Sequence, residues 1–255
     1  MLRPFGLTKL QAELYELTHR GNPGDRAFYA KSCAKAARVL ELGTGYGRLI
    51  PGLSRSAAEI WGLERDAQLL AAARRVVRQL GPAQRRKVRL VGGDMRDFDL
   101  ESKFDRIILP YNGLCCLLNR RDILRCFKCV KRHLAPGGEF IFDVWAADRF
   151  YRDARASAYR DEPGPILSIV HRSQIWDVFE KSRLRSRSQR LDVTYTYVSR
   201  ERGTQVTIPI AQRYLPSSEL MALVARADLQ VKAIYGDFEM HRFGRNSPYL
   251  VIRTL

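Results

Sequence analysis

The stretch RVLELGTGYGRLI, residues 38 to 50, decides the fold. A short apolar run closes on an acid, Glu41, and glycine then returns at every second position, Gly43, Gly45 and Gly47. The run reads as a buried strand. The glycines read as a turn in which backbone can approach a ligand closely, and the helix that follows presents free N–H groups. In an open α/β sheet, ligands bind at this edge. The dinucleotide fingerprint G-x-G-x-x-G does not fit, because counted from Gly43 its last glycine falls on Arg48.

Outward from that turn, residues 8–20 and 25–37 read as two helices parted by GNPG. Strands are expected at 38–42, 59–63, 88–93, 104–110 and 139–145, alternating with helices, of which one is capped by Asp66. That alternation predicts a mostly parallel sheet with helices on both faces. PILSIVHRSQIW, LDVTYTYV and TQVTIPI instead alternate apolar and polar residues, as antiparallel strands with one wet face do. Winding resumes with PSSELMALVARADL, and QVKAIY and YLVIRT bring the main sheet to seven strands. The expected organisation is a helical lid at 1–37, a core at 38–162 and 215–255, and an antiparallel insertion at 163–214 laid over the active site.

The chain has 255 residues, enough for one large domain, with 45% hydrophobic residues. Its apolar runs fall short of a membrane span and its start lacks the apolar core of a secretory signal, so a cytoplasmic location is expected. Five cysteines argue against a disulfide framework, and the C-x-x-C of Cys126 and Cys129 has no second pair to complete a metal site and sits at helical spacing. No metal is expected. The charge is uneven: 44 Lys and Arg against 27 Asp and Glu, a net +17, much of it in RRVVRQLGPAQRRKVR and KSRLRSRSQR. Such a field draws polyanions without choosing among them, and solvated helix faces would produce it equally well.

The second expected strand ends in Glu64, placed to accept hydrogen bonds from ribose hydroxyls, and the third is followed by GDMRDF, with Asp94 for an exocyclic amine and Met95 for a purine face. Together these loops resemble the class I S-adenosylmethionine-dependent methyltransferases, whose motifs VLELGTGYGRL, GLERD, GDMRDFDLESKFDRIIL and RHLAPGGEFIFDV are similar to, and the insertion and chain end look like the small-molecule members that act on amino sugars and on glycine. The resemblance implies a Rossmann-like sheet and S-adenosyl-L-methionine as cofactor. By position, Glu41, Gly43 and Gly45 would surround its methionine part, Glu64 its ribose, and Asp94 and Met95 its adenine, with Arg65 stacked on the base and Gly47 left to packing.

Beyond the cofactor, PYNGLCCL follows the fourth strand in place of the Pro-Pro tetrapeptide of nucleic-acid and glutamine N-methyltransferases, so Tyr111 and Asn112 would face the methyl, or form a buried turn. Tyr15 and Tyr29 resemble lid aromatics, Trp145 would wall the substrate or sit in the core, and Arg213, Tyr214, Tyr235 and Asp237 could reach inward, Arg213 as the cation for an acidic substrate group. His241 and His171 are candidate bases; His19 reads as surface and His133 as structural. The expected activity is methyl transfer to nitrogen or oxygen of a small, anionic metabolite, free or on an acidic carrier, by a monomer or homodimer. The alternative is an RNA methyltransferase using the basic surface, against which stands the absence of basic runs interleaved with aromatics.

Overall fold

The computed structural model describes residues 6–148 and 163–255. The first five residues of the expected lid, and 149–162 of the expected core, lie outside the described residues. In chain order the elements are α1 (Lys9–Thr18), α2 (Asp25–Ser32), β1 (Arg38–Leu42), α3 (Ile50–Leu53), β2 (Glu59–Glu64), α4 (Ala67–Gln79), α5 (Pro82–Arg85), β3 (Val88–Gly92) and β4 (Phe104–Leu109). They continue with α6 (Arg120–His133), β5 (Leu134–Trp145), β6 (Gly164–His171), β7 (Gln174–Arg185), β8 (Arg190–Ser199), β9 (Gln205–Arg213), α7 (Ser217–Ala225), β10 (Val231–Tyr235) and β11 (Tyr249–Thr254).

The main sheet has seven strands in the order β10-β11-β5-β4-β1-β2-β3, antiparallel only where β11 meets β10 and β5. β1 is flanked by β2 on one side and β4 on the other, so the chain winds away from it in both directions and opens a crevice at its carboxyl end. The strands can run through the middle because Val39, Leu40, Ile107, Ile108, Ile141 and Phe142 are all fully buried, as a sheet covered on both faces requires. Asp66 caps α4 by accepting from the Gln68 and Leu69 N–H groups.

Two boundaries differ from the sequence expectation by five residues each. α2 stops at Ser32 rather than 37, because Lys35 takes a left-handed φ of 62° and the Ala36 and Ala37 carbonyls accept from Ala58 and Glu59. β5 starts at Leu134 rather than 139: Leu134 already pairs with Phe104, and a register shift absorbs the APGG segment.

The smaller sheet, β6-β7-β8-β9, is antiparallel throughout and spans Gly164–Arg213. Its inner face, with Trp176, Val178, Tyr197 and Ile208, packs on Leu14 of α1. α1 is thus held between this sheet and the ligand edge of the main one. Its start is pinned by the Leu7 N–H donating to Asp66 at 2.8 Å, and its flank by Gln11 Nε2 donating to the Thr207 carbonyl at 2.8 Å.

Candidate functional site: an acid-lined cleft at the carboxyl end of β1

The glycine turn divides into two parts by what surrounds it. A side chain at Gly47, where φ is +82°, would press on Ala73 at 3.2 Å and on Ile50 at 3.0 Å, so this glycine lets α4 pack against the turn. Gly43 and Gly45 are also left-handed, at +62° and +57°, yet a Cβ there would meet nothing closer than Met95 Cε at 3.7 Å and the Gly43 carbonyl at 4.0 Å. These two keep backbone bare on the side facing the Met95 loop. That is a cradle a ligand can enter, and it fits the adenosyl and methionyl parts of S-adenosylmethionine.

The acids around it are arranged by backbone donors. Glu64, at the end of β2, accepts from the Gly45 N–H at 2.9 Å and the Asp66 N–H at 2.8 Å, which fixes its carboxylate beside the turn with lone pairs to spare. Burial raises its pKa, against those donors. Glu41 is buried in β1, and Thr44 Oγ1 donates to it at 2.7 Å; burial pushes its carboxyl up to about 7. Asp94 is half-exposed and holds Arg96 with both oxygens, while Arg65 lies 3.6 Å away; the Arg96 hydrogen bonds draw Asp94 down to about 2. That pairing leaves Asp94 about one further acceptor position for an adenine amine. Arg65 itself is exposed at the rim.

On the substrate side, Tyr111 and Asn112 form a left-handed pair, φ 55° and 59°, after β4. Asp143 explains how such a strained turn persists. This fully buried carboxylate on β5 accepts from the Tyr111 and Asn112 N–H groups, from Tyr29 Oη at 2.6 Å and from Asn22 Nδ2. Burial raises it to about 6, against its four donors. Asn112 Oδ1 in turn accepts from the Trp145 N–H at 2.6 Å, and the Trp145 and Tyr214 rings lie 6.2 Å apart. Arg48 spans the same region, bidentate to Asp25 at 2.7 Å and 5.5 Å from the Tyr111 ring centre, and so fastens the start of α2 to the glycine turn.

Tyr15 of α1 stands beside the cleft. Its hydroxyl feels Cys116, Tyr111, Glu64 and Tyr195, and burial with these neighbours raises it well above the usual phenol range. Cys116, near Tyr15, is solvent-accessible, and desolvation by the surrounding protein pushes its thiol up to about 11. His19 stacks on Tyr15 at 3.8 Å and meets the Tyr195 ring edge-on at 4.8 Å.

Several expectations about the substrate side are corrected. Tyr29 is fully buried with its hydroxyl spent on Asp143, so it braces the site instead of lidding it. Arg213 is buried and neutralised by Glu219 at 2.9 Å, with Gln189 as a second partner, which removes it as the cation for an acidic group. His241 is 70% exposed and binds Asp237 at 2.8 Å, which raises its pKa; Asp237 also accepts from the N–H groups of Glu239 and His241 and holds its own turn. Tyr235 packs against the cluster of Phe28, Tyr29 and Phe238. His171 pairs with Glu13 at 3.1 Å, and His19, read as surface, is buried. His133 is buried between the Cys129 carbonyl and the Leu100 N–H.

Sequence reading passed over Asp143, Arg48, Glu180 and Tyr195. Asp143 did leave a signal, as the one acid inside the otherwise apolar FIFDVW. Arg48 left none, because its partner Asp25 lies 23 residues away. Among the described residues no helix is long and apolar enough to cross a membrane, and no His, Cys, Asp and Glu group could hold a metal ion.

Residues 39–138 match the family model described as a methyltransferase domain. The chain is 25% identical over 202 residues to the dTDP-3-amino-3,6-dideoxy-alpha-D-glucopyranose N,N-dimethyltransferase of Streptomyces fradiae, covering 75% of this chain and 72% of that one. Its fold superposes on the CcbJ methyltransferase of Streptomyces caelestis with a TM-score of 0.76 and 26% identity, over 92% of this chain and 96% of that one. CalS10 of Micromonospora echinaspora, an amino pentose methyltransferase solved with S-adenosylmethionine bound, shares the fold at a TM-score of 0.69 and 20% identity, covering 100% and 99% of the two chains.

Proposed function

We propose that this S-adenosylmethionine-dependent methyltransferase methylates an amine nitrogen of a small, sugar-like metabolite held between the ligand edge of the main sheet and the antiparallel layer. The observation that carries the reading is the sign of the cleft. In a chain of net +17, Glu41, Glu64, Asp143 and Glu180 form no ion pair among the described residues; Glu41 and Glu64 stand together at the glycine turn, and the Tyr15 hydroxyl lies near both Glu64 and Tyr195, the partner of Glu180 on β7. A half-dry site lined by unpaired carboxylates suits cationic guests, and both a sulfonium cofactor and a protonated amine are such guests. The names of the Streptomyces fradiae and Micromonospora echinaspora relatives support an amino sugar as the substrate class.

Glu41 would meet the ammonium of the cofactor's methionine part, Glu64 its ribose hydroxyls, and Asp94 with Met95 its adenine. Bound S-adenosylmethionine supplies a methyl on positive sulfur, which the nitrogen lone pair takes as the carbon–sulfur electron pair returns to sulfur. What this chain must do is align nucleophile and methyl and exclude water, and the Asp143-held turn, Tyr15 and the antiparallel roof serve that purpose. The basic surface lies outside this recess, with exposed Arg85, Arg86 and Arg89 on the α5–β3 side.

The test offers methyl-labelled cofactor to the purified chain with three acceptors: the dTDP-linked 3-amino sugar of the Streptomyces fradiae relative, its 3-hydroxyl counterpart, and total RNA. Label is expected in the amine alone. Salt-sensitive labelling of RNA, or equal labelling of the hydroxyl sugar, would overturn the reading.

A further inference from the structure

We infer that Glu180 of β7, together with the Tyr195 hydroxyl of β8, forms the subsite that takes the substrate's protonated amine, so that the antiparallel layer selects the acceptor rather than merely covering it. This rests on the amine reading above. Along β7 the residues Trp176, Val178, Glu180 and Ser182 share one face, and burial of Trp176, Val178 and Ser182 shows that this face looks inward. Glu180 stands directly opposite Tyr195 in the β7–β8 register, and the buried neighbours Val193 and Tyr197 put Tyr195 on the same inner face. An acid has therefore been placed where the strand pattern asks for an apolar side chain.

Its surroundings are polar but not cationic. Ser182 Oγ donates to it at 2.8 Å and the Tyr195 hydroxyl is its other partner, while no Lys, Arg or His among the described residues forms an ion pair with it. That is notable on this sheet, where Asp177 and Asp192 each have arginine partners on the wet face. Leaving a half-buried carboxylate without a countercharge costs stability, and a cationic guest recovers that cost.

The recess beside it is walled by rings: Tyr195 against His19, His19 stacked on Tyr15, and Tyr111 at 6.5 Å from His19. Aromatic faces attract an ammonium, and burial keeps His19 at about 4, neutral at pH 7, so it does not repel one. The Tyr15 hydroxyl lies near Glu64 on the cofactor side and near Tyr195 on the roof side, and so stands between the two halves of the recess. In this arrangement the ammonium passes one proton to the Glu180 carboxylate, and the freed lone pair would take the sulfonium's methyl as the carbon–sulfur pair returns to sulfur. The methylated nitrogen leaves carrying the positive charge, and Glu180 gives its proton back to water.

The test is calorimetry on the full chain with the demethylated cofactor, S-adenosylhomocysteine, present throughout. The probes are the dTDP-linked 3-amino sugar and glucosamine, each against its hydroxyl counterpart, on wild type, Glu180→Gln and Tyr195→Phe. Wild type is expected to prefer the amines, and Glu180→Gln to lose about tenfold or more of that preference with S-adenosylhomocysteine affinity intact. Tyr195→Phe should lose a smaller share, and the wild-type preference should shrink as pH rises through the amine's own pKa. An unchanged preference in Glu180→Gln, or a wild type that binds S-adenosylhomocysteine but favours neither amine, overturns the inference. Failure of wild type to bind S-adenosylhomocysteine would strike the proposed function instead. Should Glu180→Gln not fold, the Tyr195→Phe and pH arms decide alone.

Discussion

The outside and the inside of this protein carry opposite charge. Runs such as 74–89 and 181–190 expose arginine after arginine to water, with occasional acid partners, for example Arg185 with Asp192 at 2.6 Å. In the recess at the carboxyl end of β1, Glu41, Glu64 and Asp143 have N–H and hydroxyl partners, while Asp94 at its rim is held by Arg96. Exposed charge is screened within about 10 Å at ordinary salt, so the arginines shape solubility and long-range attraction, whereas carboxylates in the recess act on whatever is bound. Net charge therefore does not report the recess: the chain is strongly basic, while the recess proposed to bind the guest carries carboxylates without ion-pair partners.

The sharpest way to break this contrast is to remove its internal anchor. Asp143→Ala leaves four donors without an acceptor and frees the Tyr111–Asn112 turn, so a loss of about 3–5 kcal/mol is expected, read as a fall of about 10 °C in thermal midpoint. Activity should fall with it. A midpoint within a degree or two of wild type would show that the turn does not depend on Asp143.

Next in size, Glu64→Gln is expected to weaken S-adenosylhomocysteine binding by about tenfold to a hundredfold by calorimetry, since a charge-assisted acceptor is lost while the shape is kept. Unaltered affinity would mean that Glu64 serves only the Gly45 and Asp66 N–H groups.

A smaller effect is expected from pH. Glu41 is raised from 4.5 to about 7 in the folded chain, so between those values the native state holds a proton that the unfolded state has released. Its contribution to stability therefore falls as pH rises from about 4.5 to 7. Cofactor affinity should run the other way, rising as Glu41 ionises to meet the ammonium. Glu41→Gln should flatten both trends relative to wild type; equal slopes in thermal scans and titrations from pH 5 to 8 would remove Glu41 from the cofactor site.

The smallest effect is reserved for the shell. Replacing exposed Arg85 and Arg86 with alanine should leave thermal midpoint and amine methylation where they are and alter only the dependence on ionic strength. A loss of turnover on a small amine would bring the basic surface back into the reaction.

Much of the fold was legible because local pattern and global architecture agree. The apolar runs at 38–42, 59–63 and 104–110 are buried strands, and Asp66 caps its helix through contacts within three residues. The glycine turn was legible for the same reason: φ requirements and close approach are properties of a few consecutive residues. The substrate side was not. Arg213 reads as a free cation until Glu219 is folded against it, Tyr29 reads as a lid until Asp143, 114 residues later, takes its hydroxyl, and His19 reads as surface until Tyr195 covers it.

By itself, then, the amino-acid order determined the winding of the parallel sheet, the antiparallel layer as a separate unit, and the three loops at the carboxyl ends of β1, β2 and β3, since each is written in a run of consecutive residues. Only the tertiary structure decided which charges are cancelled and which are left unpaired in the recess. Coulomb energy depends on distance and burial, and neither is written in a linear sequence until strands far apart along the chain have met.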